Sequence, residues 1–239
     1  MTEIDWEQKV LSEIDQRAGR LLELAGALIA IPSENPPGDC TQVASFTSAW
    51  LAERGLAPQL LDAGDGRQNV LSREFGGDAT GDRHLVLAGH YDVVPVGDAS
   101  RWSFPPFAGD VVDGYLRGRG ASDMKAGLAG ALFAYGLLAE LGVPLAGGLS
   151  FLAVCDEETG DRRGADWVLE NGHLDGVTAG VIAEPAERSH PTIGQKGSNW
   201  FRLTIDGRPG HGSLQPLHGT SANLLAARAI IALQQLWEM

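Results

Sequence analysis

The chain predicts an α/β fold: a mostly parallel sheet flanked by helices, followed by the start of a smaller α+β domain. Helical and strand-like segments alternate along the first three quarters of the sequence, which suits two or three packed layers. Apolar strand-like runs reach His90, Cys155 and Ala183, and each passes directly into polar residues and turn signals. Beyond residues 186–191 the pattern shifts from continuous apolar runs to alternation. These changes place residues 1–187 in one domain and 188–239 at the beginning of another.

From Trp6 to Ala30 the apolar residues Val10, Leu11, Ile14, Leu21, Leu24, Leu28 and Ile29 recur at helical spacing, predicting one amphipathic helix. The proline-rich run Ile31 to Gly38 breaks it. A second helix from Thr41 to Arg54 carries Val43, Phe46, Trp50 and Leu51 on one face, and Gly55 ends it. Short strands follow near Gln59 to Asp62 and Asn69 to Phe75, and then Leu85 to His90. Arg101 to Phe107 is too rich in aromatics and prolines for regular structure and leads to a turn at Asp113-Gly114. An Ala/Leu/Gly-rich helix after Lys125 runs to Leu141, where Gly142 and Pro144 stop it. Leu149 to Cys155 reads as a buried strand, Gly164 to Glu170 as a short helix and Gly180 to Ala183 as a further buried strand. Ile193-Gly194 and Trp200 to Asp206 read as alternating strands, and Ser221 to Trp237 as a helix.

Composition narrows the function. Across 239 residues, 44% are hydrophobic and 21% charged, as in an ordinary globular protein. Eighteen lysines and arginines face 31 acids, a net charge of -13, with a pI near 4.8. No basic stripe exists to neutralise a phosphate backbone, so nucleic acid is not an expected partner. The acidic stretch Met1 to Val10 lacks an apolar signal region, and no apolar run reads as long enough to span a bilayer, so the expected setting is cytoplasmic, without a membrane partner. Cys40 and Cys155 are expected as reduced thiols, the latter buried and structural.

The chemistry concentrates at strand ends. The Leu85 to Gly89 run ends on His90 with Asp92 two residues on, a way to aim an imidazole and fix its tautomer. Glu157 and Glu158 follow the second strand, and Glu184 follows the third. In open α/β sheets, groups at the carboxyl ends of strands meet in one crevice. Asp123 opens the long helix and also fits an N-cap. Gly118-Arg119-Gly120 is not a phosphate cradle, because Asp123 occupies the place of the third glycine and would repel a pyrophosphate. Glu157 and Glu158 are expected on opposite faces of a strand end, one binding metal and one free to take a proton from water.

In register, Gly89 to Pro95, Trp102 to Phe107, Gly118 to Lys125, Asp156 to Gly160, Ala183 to Pro185 and Gly207 to Ser213 resemble the dinuclear-zinc family of aminoacylases, acetylornithine deacetylases, succinyl-diaminopimelate desuccinylases and carboxypeptidase G-type enzymes. The resemblance implies a zinc-exopeptidase-like catalytic domain and an inserted lid or dimerisation domain. It implies zinc, two ions per complete site, with cobalt(II) as an alternative. His90 and Glu184 resemble ligands of the first ion, Asp123 the bridging ligand and Glu158 a ligand of the second. Asp92 resembles the residue that orients His90, Glu157 the general base, and His211 the lid histidine that stabilises the oxyanion in a partner subunit's site.

The implied substrate is an acyl-amino acid or a peptide-like amide, and the implied assembly is a homodimer through the lid. The family's last histidine, a ligand of the second zinc, has no counterpart before Met239, and no motif supports His84, His173, His190 or His218 in its place. The chain is therefore expected to be C-terminally truncated, to hold one metal better than two, to show little activity alone and to expose apolar surface. The rival readings are a non-catalytic binding or scaffold protein and an exopeptidase or dipeptidase of the same family.

Overall fold

Alternation along the central strands decides which layer each residue serves. A computed structural model of the chain describes residues 4–75, 83–160, 162–186, 190–194, 201–214 and 218–237. It divides into two compact units, Met1–His190 and Pro191–Met239. The first contains helices α1 (Trp6–Gln16), α2 (Ala18–Ala30) and α3 (Thr41–Ala52), then strands β1 (Pro58–Asp62), β2 (Gln68–Phe75) and β3 (His84–His90). A small hairpin of β4 (Asp110–Val112) and β5 (Tyr115–Arg117) comes next, followed by α4 (Ala126–Leu141), β6 (Gly148–Val154), α5 (Ala165–Glu170) and β7 (Ala179–Ile182).

The main sheet has the order β1-β2-β6-β3-β7. It is mixed: β3 runs parallel to both β6 and β7, whereas the β1–β2 and β2–β6 pairs are antiparallel. Leu149, Phe151 and Ala153 of β6 face a core shared with α2, α3 and α4, while Leu152 and Val154 face a second core with Val168 and Trp167 of α5. Period-two alternation on a sheet buried on both faces requires this division.

Several elements differ from the sequence expectation. The helix expected over Trp6 to Ala30 is two helices, because Arg17 leaves the helical region (φ -108, ψ 13) and anchors instead to Glu13 and Glu140. Of these two, α2 buries residues and α1 buries none, and Leu11 stays exposed. The run Ala121–Leu141 is, contrary to expectation, long and apolar enough in composition to cross a membrane, but half of it is buried inside the fold, where α4 packs on α2, β3 and β6. β7 is exposed along its length rather than buried, because β3 is its only strand neighbour among the described residues.

The second unit contains helix α6 (Ala222–Trp237), with Ser221 Oγ accepting the Leu224 N–H at 3.2 Å as its cap. Residues 193–194 and 201–206 form no strand; Trp200 lies outside the described residues. Alternation alone cannot hold a strand without a ladder partner for its backbone, and the pairing seen here among described residues is the isolated bridge between Arg208 and Thr220.

Candidate metal centre

β3 ends on His90, whose ring is 1% exposed at the carboxyl edge of the sheet. Its Nδ1 lies 2.9 Å from the Asp92 carbonyl oxygen and 3.4 Å from Asp92 Oδ1. The backbone carbonyl, rather than the carboxylate expected from the sequence, is thus the nearer partner. With a proton held on Nδ1, Nε2 is the outward-facing nitrogen that a metal can take once its own proton is lost. There it meets Asp123 Oδ1 at 3.1 Å, Glu184 Oε1 at 3.3 Å and Glu157 Oε2 at 3.8 Å. Donor atoms of His90, Asp123 and Glu158 all lie within 4.8 Å of one another.

Different elements deliver these groups. Asp123 sits in a wide turn, Ala121–Lys125, with extended backbone (φ -120, ψ 100), and the Asp123–Met124 peptide bond is cis. Met124 points into the core and its sulfur receives the His90 N–H at 3.2 Å, while the Asp123 side chain is 57% exposed. Asp123 does not cap α4, whose start has no side-chain cap. Lys125 is fully buried and donates to the carbonyls of Leu28 (3.0 Å) and Ile31 (2.6 Å), tying this turn to the end of α2. Burial pushes its amine down to about 8, against the pull of Cys40 and Asp92.

Glu157 and Glu158 do not alternate on a strand end. β6 stops at Val154, Asp156 takes a left-handed conformation (φ 69), and both glutamates lie on the following turn. Their N–H groups both donate to the Asp92 carboxylate, each at 3.2 Å. Strand alternation does not apply to a turn, so both side chains reach the same crevice. Glu157 stays open, whereas Glu158 Oε1 accepts the Val94 N–H at 3.1 Å.

Glu184 comes just after β7. The start of α4 approaches so closely that a Cβ on Gly127 would collide with the Ala183 carbonyl oxygen, so the glycine sets the depth at which Glu184 is presented.

The electrostatics call for a cation. Burial raises the Glu184 carboxyl, Asp123 and Glu157 raise it further, and His90 only partly opposes them, leaving it at about 7. Burial works against a charge on His90, but Asp92, Glu184 and Glu157 outweigh it and lift the imidazole to about 9. Burial and Asp123 raise the Glu158 carboxyl as well. Two donors on a tetrahedral zinc, each about 2.0–2.1 Å from it, stand about 3.3–3.5 Å apart. The 3.1 and 3.3 Å separations around Nε2 are close to that edge, and an imidazole among carboxylates suits a divalent ion of the zinc type. The donor set fits.

The remaining histidines behave otherwise. His84, at the opposite end of β3, pairs with Ser150 Oγ at 2.7 Å, and His173 stacks on Trp167. In the second unit, His211 Nδ1 pairs with Ser213 Oγ at 2.7 Å and accepts the Ser213 N–H at 3.3 Å. Cys40 and Cys155 are free and buried; burial pushes the Cys155 thiol up to about 12. Sequence reasoning missed Asn35, Asp156 and Lys125, which support the centre from behind. Asn35 shows in the sequence only as a polar residue before two prolines, and although Asp156 and Lys125 fall within the quoted motifs, nothing local marks them as supports.

Fold and site together define an α/β protein with a carboxylate-rich divalent-metal centre at the carboxyl edge of its parallel strands. The chain belongs to peptidase family M20/M25/M40, whose profile it matches over residues 86–232. It is 37% identical over 200 residues to a succinyl-diaminopimelate desuccinylase of Methylorubrum populi, covering 80% of this chain and 50% of that one. It is 34% identical over 167 residues to the N-formyl-4-amino-5-aminomethyl-2-methylpyrimidine deformylase of Halalkalibacterium halodurans, covering 70% and 39%. A tripeptidase from Staphylococcus aureus shares the fold with a TM-score of 0.63 at 22% identity, over 89% of this chain and 55% of that one. The chain spans about half the length of the curated relatives it matches.

Proposed function

We propose that the whole protein is a zinc-dependent amidohydrolase that removes an acyl group from the nitrogen of an amino acid or similar small amine. The observation that carries this reading is the convergence of Asp123, Glu184 and Glu157 on His90 Nε2. Both curated relatives are named for the removal of an acyl group, which favours a deacylase over an exopeptidase.

His90, Asp123 and Glu184 would hold the first ion, and Asp123 with Glu158 would contribute to a second. A bound ion supplies Lewis acidity toward the scissile carbonyl and toward water. Glu157, 55% exposed and farthest of the three carboxylates from Nε2, is free to take a proton from the attacking water and return it to the leaving amine. The Ser213 N–H on Nδ1 of His211 favours the tautomer with its proton on Nε2, which can donate to an oxyanion. Homodimerisation through residues 188–239 belongs to the same proposal; α6 offers the exposed apolar residues Ile230, Ile231, Leu233 and Leu236 for it. The free, buried thiols suit a cytoplasmic setting.

Elemental analysis of the wild type and Asp123→Ala tests the reading. About one zinc per wild-type chain, lost in the variant, is expected. A wild-type chain that takes up no divalent metal would overturn it and leave the scaffold reading in its place.

A further inference from the structure

Behind the metal centre, the loop after α2 is stitched to the segment that follows His90. The Asn35 N–H donates to the Val93 carbonyl at 2.8 Å and the Val93 N–H to the Ser33 carbonyl at 3.0 Å. Ser33 Oγ donates to the Tyr91 carbonyl at 2.5 Å, and the Val96 N–H donates to Glu34 Oε1 at 2.8 Å.

From this loop the Asn35 side chain enters the protein, and the residue is 2% exposed. Its Nδ2 lies 2.9 Å from Asp92 Oδ2, 2.9 Å from Asp156 Oδ1 and 3.2 Å from Thr159 Oγ1. A primary amide has two N–H groups, so each buried carboxylate receives one. Those carboxylates belong to different parts of the site. Asp92 accepts the N–H groups of Glu157 and Glu158 and stands beside His90 Nδ1. Asp156 closes the glutamate turn by accepting from Thr159 Oγ1 at 3.1 Å and from the Arg163 N–H at 3.2 Å. Two neighbouring buried carboxylates repel unless a donor lies between them, and Asn35 is a donor that bridges both.

We propose that Asn35 is a positioning residue: its amide joins the His90 strand end to the Asp156–Gly160 turn, so that the imidazole and the Glu157 and Glu158 carboxylates keep one geometry toward the ion. This rests on the metal-centre reading above. Asparagine is required chemically, because an aspartate of the same shape would remove both donors and add a third carboxylate.

Residue-resolved amide hydrogen exchange on the metal-free chain tests the link, with Asn35→Asp and Asn35→Ala beside the wild type. The Glu157 and Glu158 amides should exchange at least about tenfold faster in both variants, while β3 and β6 keep wild-type protection. Cobalt(II) titration followed by its visible absorption should then show about 10–100-fold weaker binding and an altered spectrum. Asn35→Ala adds no charge and carries the test if Asn35→Asp does not fold. Unchanged exchange at Glu157 and Glu158, equal acceleration in β3 and β6, or loss of the whole fold in Asn35→Ala would each overturn the assignment. If the exchange effect appears but the wild type binds no cobalt, the link stands and the metal reading fails.

Discussion

The parallel half of the main sheet, β6-β3-β7, leads into His90, Glu157, Glu158 and Glu184, whereas β1 and β2 deliver no candidate ligand. Parallel strands all finish at one edge, so residues distant in sequence meet there. Antiparallel β2 reaches the same edge with its first residues and serves as a brace. The Gln68 carbonyl accepts from the Tyr91 hydroxyl, and Asn69 accepts the Cys155 N–H at 3.0 Å while donating to the Arg163 carbonyl at 3.0 Å. Strand direction thus separates the candidate ligands from the groups that hold the frame.

The sharpest way to break this division is on the parallel side. If the whole protein is the proposed amidohydrolase, Glu157→Gln in it should keep the bound metal and lose about 10²–10⁴-fold in kcat on an N-acyl amino acid, since only proton transfer is removed. A variant that loses metal and activity together would move Glu157 from base to ligand.

A smaller effect follows from the charge at the same edge. In the metal-free chain His90 titrates at about 9 and Glu184 at about 7. Both must be unprotonated to ligate, so an incoming ion competes with protons below these values. Affinity for zinc should therefore rise about tenfold per pH unit between about pH 7 and about pH 9, more steeply below about pH 7, and level off above about pH 9. Calorimetry in buffers of different ionisation enthalpy would show the matching proton release. An affinity flat across that range would mean that these two groups do not ligate.

On the antiparallel side the outcome should reverse. Ser72 of β2 pairs with the Tyr135 hydroxyl at 3.0 Å in the core. Ser72→Ala should cost about 0.5–1.5 kcal/mol in denaturant unfolding and leave metal content and affinity unchanged. A loss of metal there would show that frame and ligands are coupled more tightly than the sheet direction implies.

The legibility of the sequence follows the same split. The residues at strand ends could be read because a run of apolar residues that stops on a histidine or a glutamate is a local pattern. The supports could not: Asn35 is 121 residues from Asp156 in sequence and 57 from Asp92, and nothing local marks the buried amide that joins them. The break at Arg17 was equally hidden, since its guanidinium pairs with Glu140 from another helix. Strand periodicity puts Glu157 and Glu158 on opposite faces of a strand end, because it cannot see that Asp156 turns the chain.

By itself, the sequence determined the periodicities that form the helices and strands, the donor types available to a metal, and the family motif order. These depend on neighbouring residues, and neighbours are what a sequence displays. The tertiary structure decided which strands run parallel, which Asp92 atom faces His90, and how Glu157 and Glu158 share one crevice. Such contacts join segments remote along the chain, and only the packed sheet brings them within hydrogen-bonding distance.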